Sequence, residues 1–147
     1  MTTPAAVDEP RVSPEFQLEI IASVDDIDEL GHVSNVSYVR FLQQVAVAHS
    51  RTVGWDFDRY QRAGVVFVVR RHEVDYLAPA FAGEALVLTT FIASWSGATS
   101  ERRTLCRRAG DGREIVRART RWALIAIESG RPVRISPELR AAFAREL

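Results

Sequence analysis

The chain has 147 residues, of which 47% are hydrophobic and 26% are charged. This length and composition are typical of one globular domain with a substantial core. The 19 basic and 19 acidic residues balance to a net charge of zero. The balance argues against a nucleic-acid partner, because such partners select strongly basic surfaces.

The expected location follows from the cysteine content and the apolar pattern. A single cysteine, Cys106, leaves no intrachain disulfide, which favours a reducing compartment. No apolar run reaches the length of a membrane span, and the first residues lack the basic and apolar segments of a signal peptide. We therefore predict a cytoplasmic protein with no membrane partner. Residues 1–14, with three prolines, are predicted to form a flexible tail, and residues 15–147 a single domain.

The predicted elements begin with a strand over 16–24, an acidic loop and a long helix over 36–53, where apolar residues recur at helical spacing. Ser34 or Asn35 is suited to cap this helix, and Gly54 to end it. Segments rich in β-branched and aromatic residues then predict strands over 65–77, 84–95, 99–108 and 114–127, before a short C-terminal helix over 137–146.

This order of elements predicts an α+β fold. Short connections join the last strands, and short connections favour antiparallel pairing. A curved antiparallel sheet with one long helix against one face buries both apolar surfaces.

The loop over 26–38 carries the clearest chemical signal. Asp26 and Asp28 come just before the start of the long helix. Backbone N–H groups at a helix start have no partner within the helix, and they can stabilise a developing oxyanion. A neighbouring carboxylate can attack a carbonyl carbon or activate water. The loop therefore indicates an acyl-transfer or hydrolytic site.

The loop also resembles a family motif, D-x-D-x-x-G-[HIV]-V-x-[NH]-x-x-Y. The matching residues are Asp26, Asp28, Gly31, His32, Val33, Asn35 and Tyr38. A second run, 74–79, followed by Gly83 and Glu84, resembles the family's second strand and the entry to its third. Together they resemble the 4-hydroxybenzoyl-CoA thioesterase-like acyl-CoA thioesterases of the hot-dog fold, over residues 16–128. One departure is Ser34, where many relatives have asparagine.

The resemblance implies a sheet of about five strands wrapped around a central helix, with a homodimer or homotetramer as the assembly. Its active site would lie between subunits, near the start of the helix. The implied reaction is hydrolysis of a fatty or aromatic acyl-CoA to an acid and CoA. No metal is predicted, because neither His49 nor His72 has ligand spacing with nearby acids, and no cofactor is implied beyond CoA as part of the substrate.

The resemblance also implies roles for single residues. Asp28 would be the nucleophile or general base, although a loop or capping carboxylate would look the same. A backbone N–H near Asn35 would polarise the thioester carbonyl, and the Asn35 side chain could contact the thioester or cap the helix. Gly31 would supply a backbone conformation or a close approach to substrate. His32 could act as a general acid, and a hydrogen-bonding loop histidine is the alternative.

The expected substrate-binding residues lie partly outside the loop. Val33 and Tyr38 could line an acyl pocket, and for Tyr38 core packing is the alternative. Arg102 and Arg103 belong to an arginine-rich stretch over 101–121 that could dock CoA phosphates, since arginine suits phosphate. The alternative is an outer sheet face with arginine–glutamate pairs.

Two other functions fit the same sequence. A thioesterase acting on acyl-carrier-protein thioesters would use the basic patch to recruit an acidic protein. A non-catalytic module that binds acyl thioesters would keep the fold without turnover.

Overall fold

The computed structural model describes residues 9–147 and contains one five-stranded sheet in that range. Every strand pair is antiparallel, and the strand order is β1-β3-β4-β5-β2, so β1 and β2 form the two edges. The strands are β1 Phe16–Ile21, β2 Val65–Tyr76, β3 Ala85–Ser96, β4 Thr99–Arg108 and β5 Glu114–Ala126. The predicted α+β architecture is confirmed.

Three α-helices accompany the sheet: α1 Asn35–Thr52, α2 Phe57–Ala63 and α3 Pro137–Ala144. The first strand was predicted to reach residue 24, but β1 ends at Ile21 and a 3-10 turn, Val24–Asp26, follows it. Helix α2 was not predicted. Its signals are nonetheless local, since the Asp56 side chain accepts the Arg59 N–H and Gly64 adopts a left-handed φ of 75° at its end.

The central helix α1 buries one face against the sheet. Its buried apolar residues recur every three to four positions and are Tyr38, Phe41, Leu42, Val45 and Ala46. They meet inward residues of β3 such as Leu86 and Leu88, which are at most 1% exposed. This packing places the start of α1 beside the end of β2, where the loop over 26–34 arrives.

The segment just before β1 is hydrogen-bonded to the sheet. Residues 1–8 of the predicted tail lie outside the described residues. The Val12 N–H donates to the Ile92 carbonyl at 2.8 Å, and the Ile92 N–H donates to the Ser13 hydroxyl at 2.8 Å. Val12 and Ser13 therefore bond to β3, and the boundary at residue 14 stays a prediction.

Within the described range, every helix is too short or too polar to cross a lipid bilayer.

Candidate active site

The loop over 26–34 folds back on itself ahead of α1. Ile27 and Val33 form an antiparallel bridge. The Asp28 N–H donates to the His32 carbonyl at 3.0 Å, and the Ser34 N–H donates to the Asp26 carbonyl at 2.8 Å. These bonds set the position of Asp28 relative to the helix start.

Asp26 has a structural role in this loop. Its carboxylate accepts the Ser23 N–H at 3.0 Å and pairs with Arg40 of α1 at 2.7 Å. Burial favours the neutral acid, but the bonds from Ser23 and Ser37 and the Arg40 charge outweigh it, so the pKa of Asp26 is lowered. Asp26 therefore remains ionised and ties the loop to α1.

Asp28 is more open. Its side chain is 33% exposed, and its Oδ1 accepts the Leu30 N–H at 2.9 Å. Among the described residues, Oδ2 has no hydrogen-bond partner. The carboxylate is thus oriented by one bond within its own turn and keeps one oxygen available for a reactant.

The start of α1 supplies free N–H donors. Ser34 is the N-cap, because its side chain accepts the Ser37 N–H at 3.1 Å. Asn35 and Val36 are therefore the first two helical residues, and no acceptor for their N–H groups lies in the described part of the chain. The Asn35 side chain is exposed and free of the capping role.

Gly31 and His32 complete the loop. Gly31 has φ of 86°, a backbone conformation that favours glycine, and a Cβ there would meet no protein heavy atom within 4 Å. His32 Nδ1 lies 4.0 Å from Asp28 Oδ1, and its ring meets Phe81 edge-on at 6.4 Å. His32 is therefore beside Asp28, at a distance too long for a direct hydrogen bond.

Sequence reasoning missed Tyr76 as a neighbour of this site. Its hydroxyl donates to the Asn35 carbonyl at 3.2 Å, and its ring lies 5.8 Å from that of Tyr38. Tyr76 is 42% exposed at the end of β2. The 41-residue separation between Tyr76 and Asn35 is why no local pattern showed the contact.

Two expected substrate residues are buried in the core. Val33 is 2% exposed and Tyr38 is 4% exposed, and both belong to the cluster around Leu86 and Leu88. Burial raises the pKa of Tyr38, whose hydroxyl has no partner among the described residues. The position of Tyr38 agrees with core packing, the alternative to pocket lining, because this side of α1 faces the sheet.

The structure separates Arg102 from Arg103. Arg102 is 5% exposed on the face that α1 covers, where it contacts His49 and Thr90. Arg103 lies on the opposite face and pairs with Glu101 at 3.0 Å and Glu9 at 3.3 Å. Successive residues of a strand point to opposite faces, so these two arginines do not share a docking surface.

The outer-face arginines are largely paired. Arg117 pairs with Glu114 at 2.7 Å, and Arg119 lies 3.7 Å from Glu73. These contacts are the arginine–glutamate pairs that were the predicted alternative to a surface that docks CoA. A cavity of about 180 Å³ lies among these side chains.

Other reactive groups stay outside the loop. Burial raises the pKa of the Cys106 thiol to about 12, so it is protonated at neutral pH. His49 and His72 make separate hydrogen bonds, to Arg102 and to Thr120. Across residues 9–147, no group of three or more metal-ligating side chains is assembled.

Solved structures share this architecture. A 1,4-dihydroxy-2-naphthoyl-CoA thioesterase from Synechocystis superposes with a TM-score of 0.81 at 17% identity, covering 88% of this chain and 96% of that one. A DHNA-CoA thioesterase from Staphylococcus aureus gives 0.81 at 17% identity, covering 88% and 89%. A 4-hydroxybenzoyl-CoA thioesterase mutant complexed with 4-hydroxybenzoyl-CoA gives 0.82 at 15% identity, covering 88% and 98%.

These likenesses confirm the hot-dog fold. No curated protein matches the chain. The family model of the thioesterase-like superfamily matches residues 23–143, which include the whole loop, α1 and the sheet from β2 onward. The chain belongs to the thioesterase-like superfamily and is a thioester hydrolase of the hot-dog type.

Proposed function

We propose that the protein hydrolyses an acyl-CoA thioester to a free acid and CoA, with Asp28 as nucleophile or general base. The observation that carries the proposal is a carboxylate, 33% exposed, in the loop that leads into an 18-residue helix whose first two N–H groups are free. The loop and the helix start both lie in the part of the chain that matches the thioesterase-like superfamily.

The two parts match the needs of thioester hydrolysis. The thioester carbonyl oxygen gains negative charge as the carbon is attacked, and the N–H groups of Asn35 and Val36 would stabilise that charge. The helix dipole acts in the same direction. Asp28 would either attack the carbon directly, forming a mixed anhydride that water then hydrolyses, or remove a proton from the attacking water. In both routes the CoA thiolate leaves.

The role of Asp28 is tested by measuring thiol release from short, medium, long and aromatic acyl-CoA thioesters. Asn at position 28 keeps the shape and the Leu30 hydrogen bond and removes only the charge. We expect Asp28→Asn to lower kcat/KM by at least about 100-fold, the usual contribution of a general base. Asp26→Asn is the matched control, and we expect turnover to remain within a few-fold of wild type.

Equal losses in the two variants would contradict the assignment of Asp28. Binding of acyl-CoA without thiol release by folded wild-type protein would favour the non-catalytic module instead. One turnover in ¹⁸O-labelled water tests the nucleophile route. Label in Asp28 requires that water attacked the aspartyl carbon of a mixed anhydride, whereas the base route labels the product acid alone.

We also propose that the site works in a homodimer formed along β2. This 12-residue strand pairs with β5 on one side only, and its other edge has no strand partner among the described residues. An open edge is a template for pairing with another strand. Exposed apolar side chains near the helix start favour a covering partner, notably Leu30 and Val36, each 77% exposed. Light scattering should give at least twice the 16.5 kDa chain mass. A fully active monomer at all concentrations would contradict this.

A further inference from the structure

A second cavity lies inside the fold, beside the C-terminal half of α1. Its volume is about 140 Å³, and its lining begins at Ala46 on α1. Ala46 is roughly 16 Å along the helix from Asn35, at 1.5 Å per residue, so the cavity is separate from the loop that carries Asp28. The walls are mainly aromatic and aliphatic: Trp55, Tyr60, Phe67, Ile92, Trp122 and Phe143. The exposed Val47 and Phe57 also line it, which gives it an opening to the surface.

Arg102 brings an unpaired charge to this apolar cavity. Its Nη1 donates to His49 Nδ1 at 2.9 Å and to Thr90 Oγ1 at 3.1 Å. Across residues 9–147 it forms no salt bridge, and its Nη2 and Nε have no protein acceptor. Burial lowers the pKa of Arg102 to about 10, so the guanidinium is still charged at neutral pH. A buried cation without an anion lowers the stability of the fold. Its presence at this position therefore indicates a site for an anionic ligand.

The other polar groups near the cavity leave the charge of Arg102 uncompensated. Trp55 and Trp122 each have a buried indole N–H with no acceptor among the described residues. The Ser50 hydroxyl is already bonded to the Trp55 carbonyl and the Tyr60 hydroxyl, both at 2.7 Å. Asp56 is the one carboxylate in the lining; it is exposed and accepts the Arg59 N–H at 2.9 Å. The cavity therefore offers a cation within aromatic walls.

We propose that this cavity binds a small apolar carboxylate, about the size of benzoate, with its carboxylate on Arg102. Guanidinium and carboxylate form the strongest charge-assisted hydrogen bonds between side-chain-type groups. The volume fits the apolar part, since an apolar cavity of about 150 Å³ holds one benzene ring. The occupant would come either as a free acid or as the distal carboxylate of an acyl thioester.

The first experiment needs no catalysis. Benzoate and its neutral isostere benzamide are titrated into the full-length protein, with the fluorescence of the tryptophans that line the cavity as readout. We expect benzoate to bind and benzamide to bind at least about tenfold more weakly. Arg102→Met should weaken benzoate binding by the same factor and raise the melting temperature of the free protein, because it removes an unpaired buried charge. Arg134→Met, an exposed arginine, is the matched control.

The second experiment distinguishes a free acid from the distal carboxylate of an acyl thioester as the source of the bound carboxylate. It rests on the proposed thioesterase function. Thioesters with and without a carboxylate at the far end of the acyl group are compared as substrates. If the substrate supplies the carboxylate, Arg102→Met lowers kcat/KM for the carboxylated thioester alone. If a free acid is the ligand, added benzoate changes the turnover of the plain thioester in wild type and not in Arg102→Met.

Three results would overturn the proposal: no binding of benzoate, equal binding of benzoate and benzamide, or unchanged benzoate binding in Arg102→Met. The wild-type comparison of the two ligands holds even if Arg102→Met does not fold. Loss of activity in Asp28→Asn with intact benzoate binding shows that the two sites are independent.

Discussion

His49 predicts a specific loss of stability in mild acid. Its side chain is fully buried, with the Phe16 ring stacked at 5.1 Å and the Phe143 ring edge-on at 5.0 Å. Nδ1 faces the Arg102 Nη1 at 2.9 Å. A guanidinium can only donate, so Nδ1 is the acceptor and the single ring proton is on Nε2. The fold therefore holds a neutral imidazole against a cation.

The magnitude follows from the shift in pKa. Burial, with the charge of Arg102 as a second cause, lowers the pKa of His49 from 6.5 to about 3. Between these values the unfolded chain binds a proton that the folded protein does not, so stability falls as pH falls from 6.5 toward 3. One pH unit within this window is worth about 1.4 kcal/mol, and the unfolded imidazole is already half-protonated at pH 6.5. Lowering the pH from 6.5 to 4.5 therefore lowers the free energy of unfolding by about 2 kcal/mol.

Urea unfolding at pH 7.5, 6.5, 5.5 and 4.5 measures this loss, with protein concentration held constant because assembly also contributes to stability. His49→Asn removes the titration, and we expect its free energy of unfolding to vary by about 2 kcal/mol less over the same range. The pKa of His72 is also lowered by burial, so His72 supplies part of any slope that remains. The pKa of Asp26 is lowered from 3.8, so its carboxylate contributes a loss of stability mainly below about pH 4.5, at the acid edge of this range. An identical slope in wild type and His49→Asn would refute the reasoning.

Three further substitutions test the loop and the start of α1. Asp26→Asn should lower the free energy of unfolding by about 1–2 kcal/mol, since it weakens the bonds to Ser23 and Arg40; an unchanged urea midpoint would contradict the structural role. Ser34→Ala should cost about 1 kcal/mol, because the cap bond to Ser37 is lost, while Ser34→Asp should retain most of the stability. Gly31→Ala should cost about 1 kcal/mol despite the open space around it, because its φ of 86° disfavours a Cβ; Gly31→Asn should recover part of the loss in a thermal melt.

The local signals of the sequence predicted the elements closely. The predicted helix over 36–53 is α1 Asn35–Thr52, and the predicted strand over 99–108 is β4. Of the two predicted cap candidates, Ser34 and Asn35, Ser34 is the N-cap of α1. These features depend on neighbours within about four positions, where side-chain spacing, caps and turns act. The same reasoning, applied to Asp56 and Gly64, would have identified α2.

The loop motif predicted which residues gather before α1, and the structure shows how they divide. Asp26 and Asp28 are two positions apart and look equivalent in sequence. Asp26 is buried against Arg40, 14 residues away, while Asp28 bonds only within its own turn. The difference arises from the way the loop packs on α1, which no local pattern records. The catalytic role of Asp28 stays a prediction.

By itself the sequence determined the order of the elements, the cap of α1, the turn glycine and the family motif, because each is carried by residues close together in the chain. Only the tertiary structure decided which strand faces are covered. Alternation along β4 requires Arg102 and Arg103 to face opposite ways, but the pairing of β4 with β3 and β5 determines which one is buried. The contact of Arg102 with His49 joins residues 53 apart, since α1 crosses the sheet at that point. Because Arg102 is buried there, its guanidinium is the unpaired charge at the cavity beside the C-terminal half of α1.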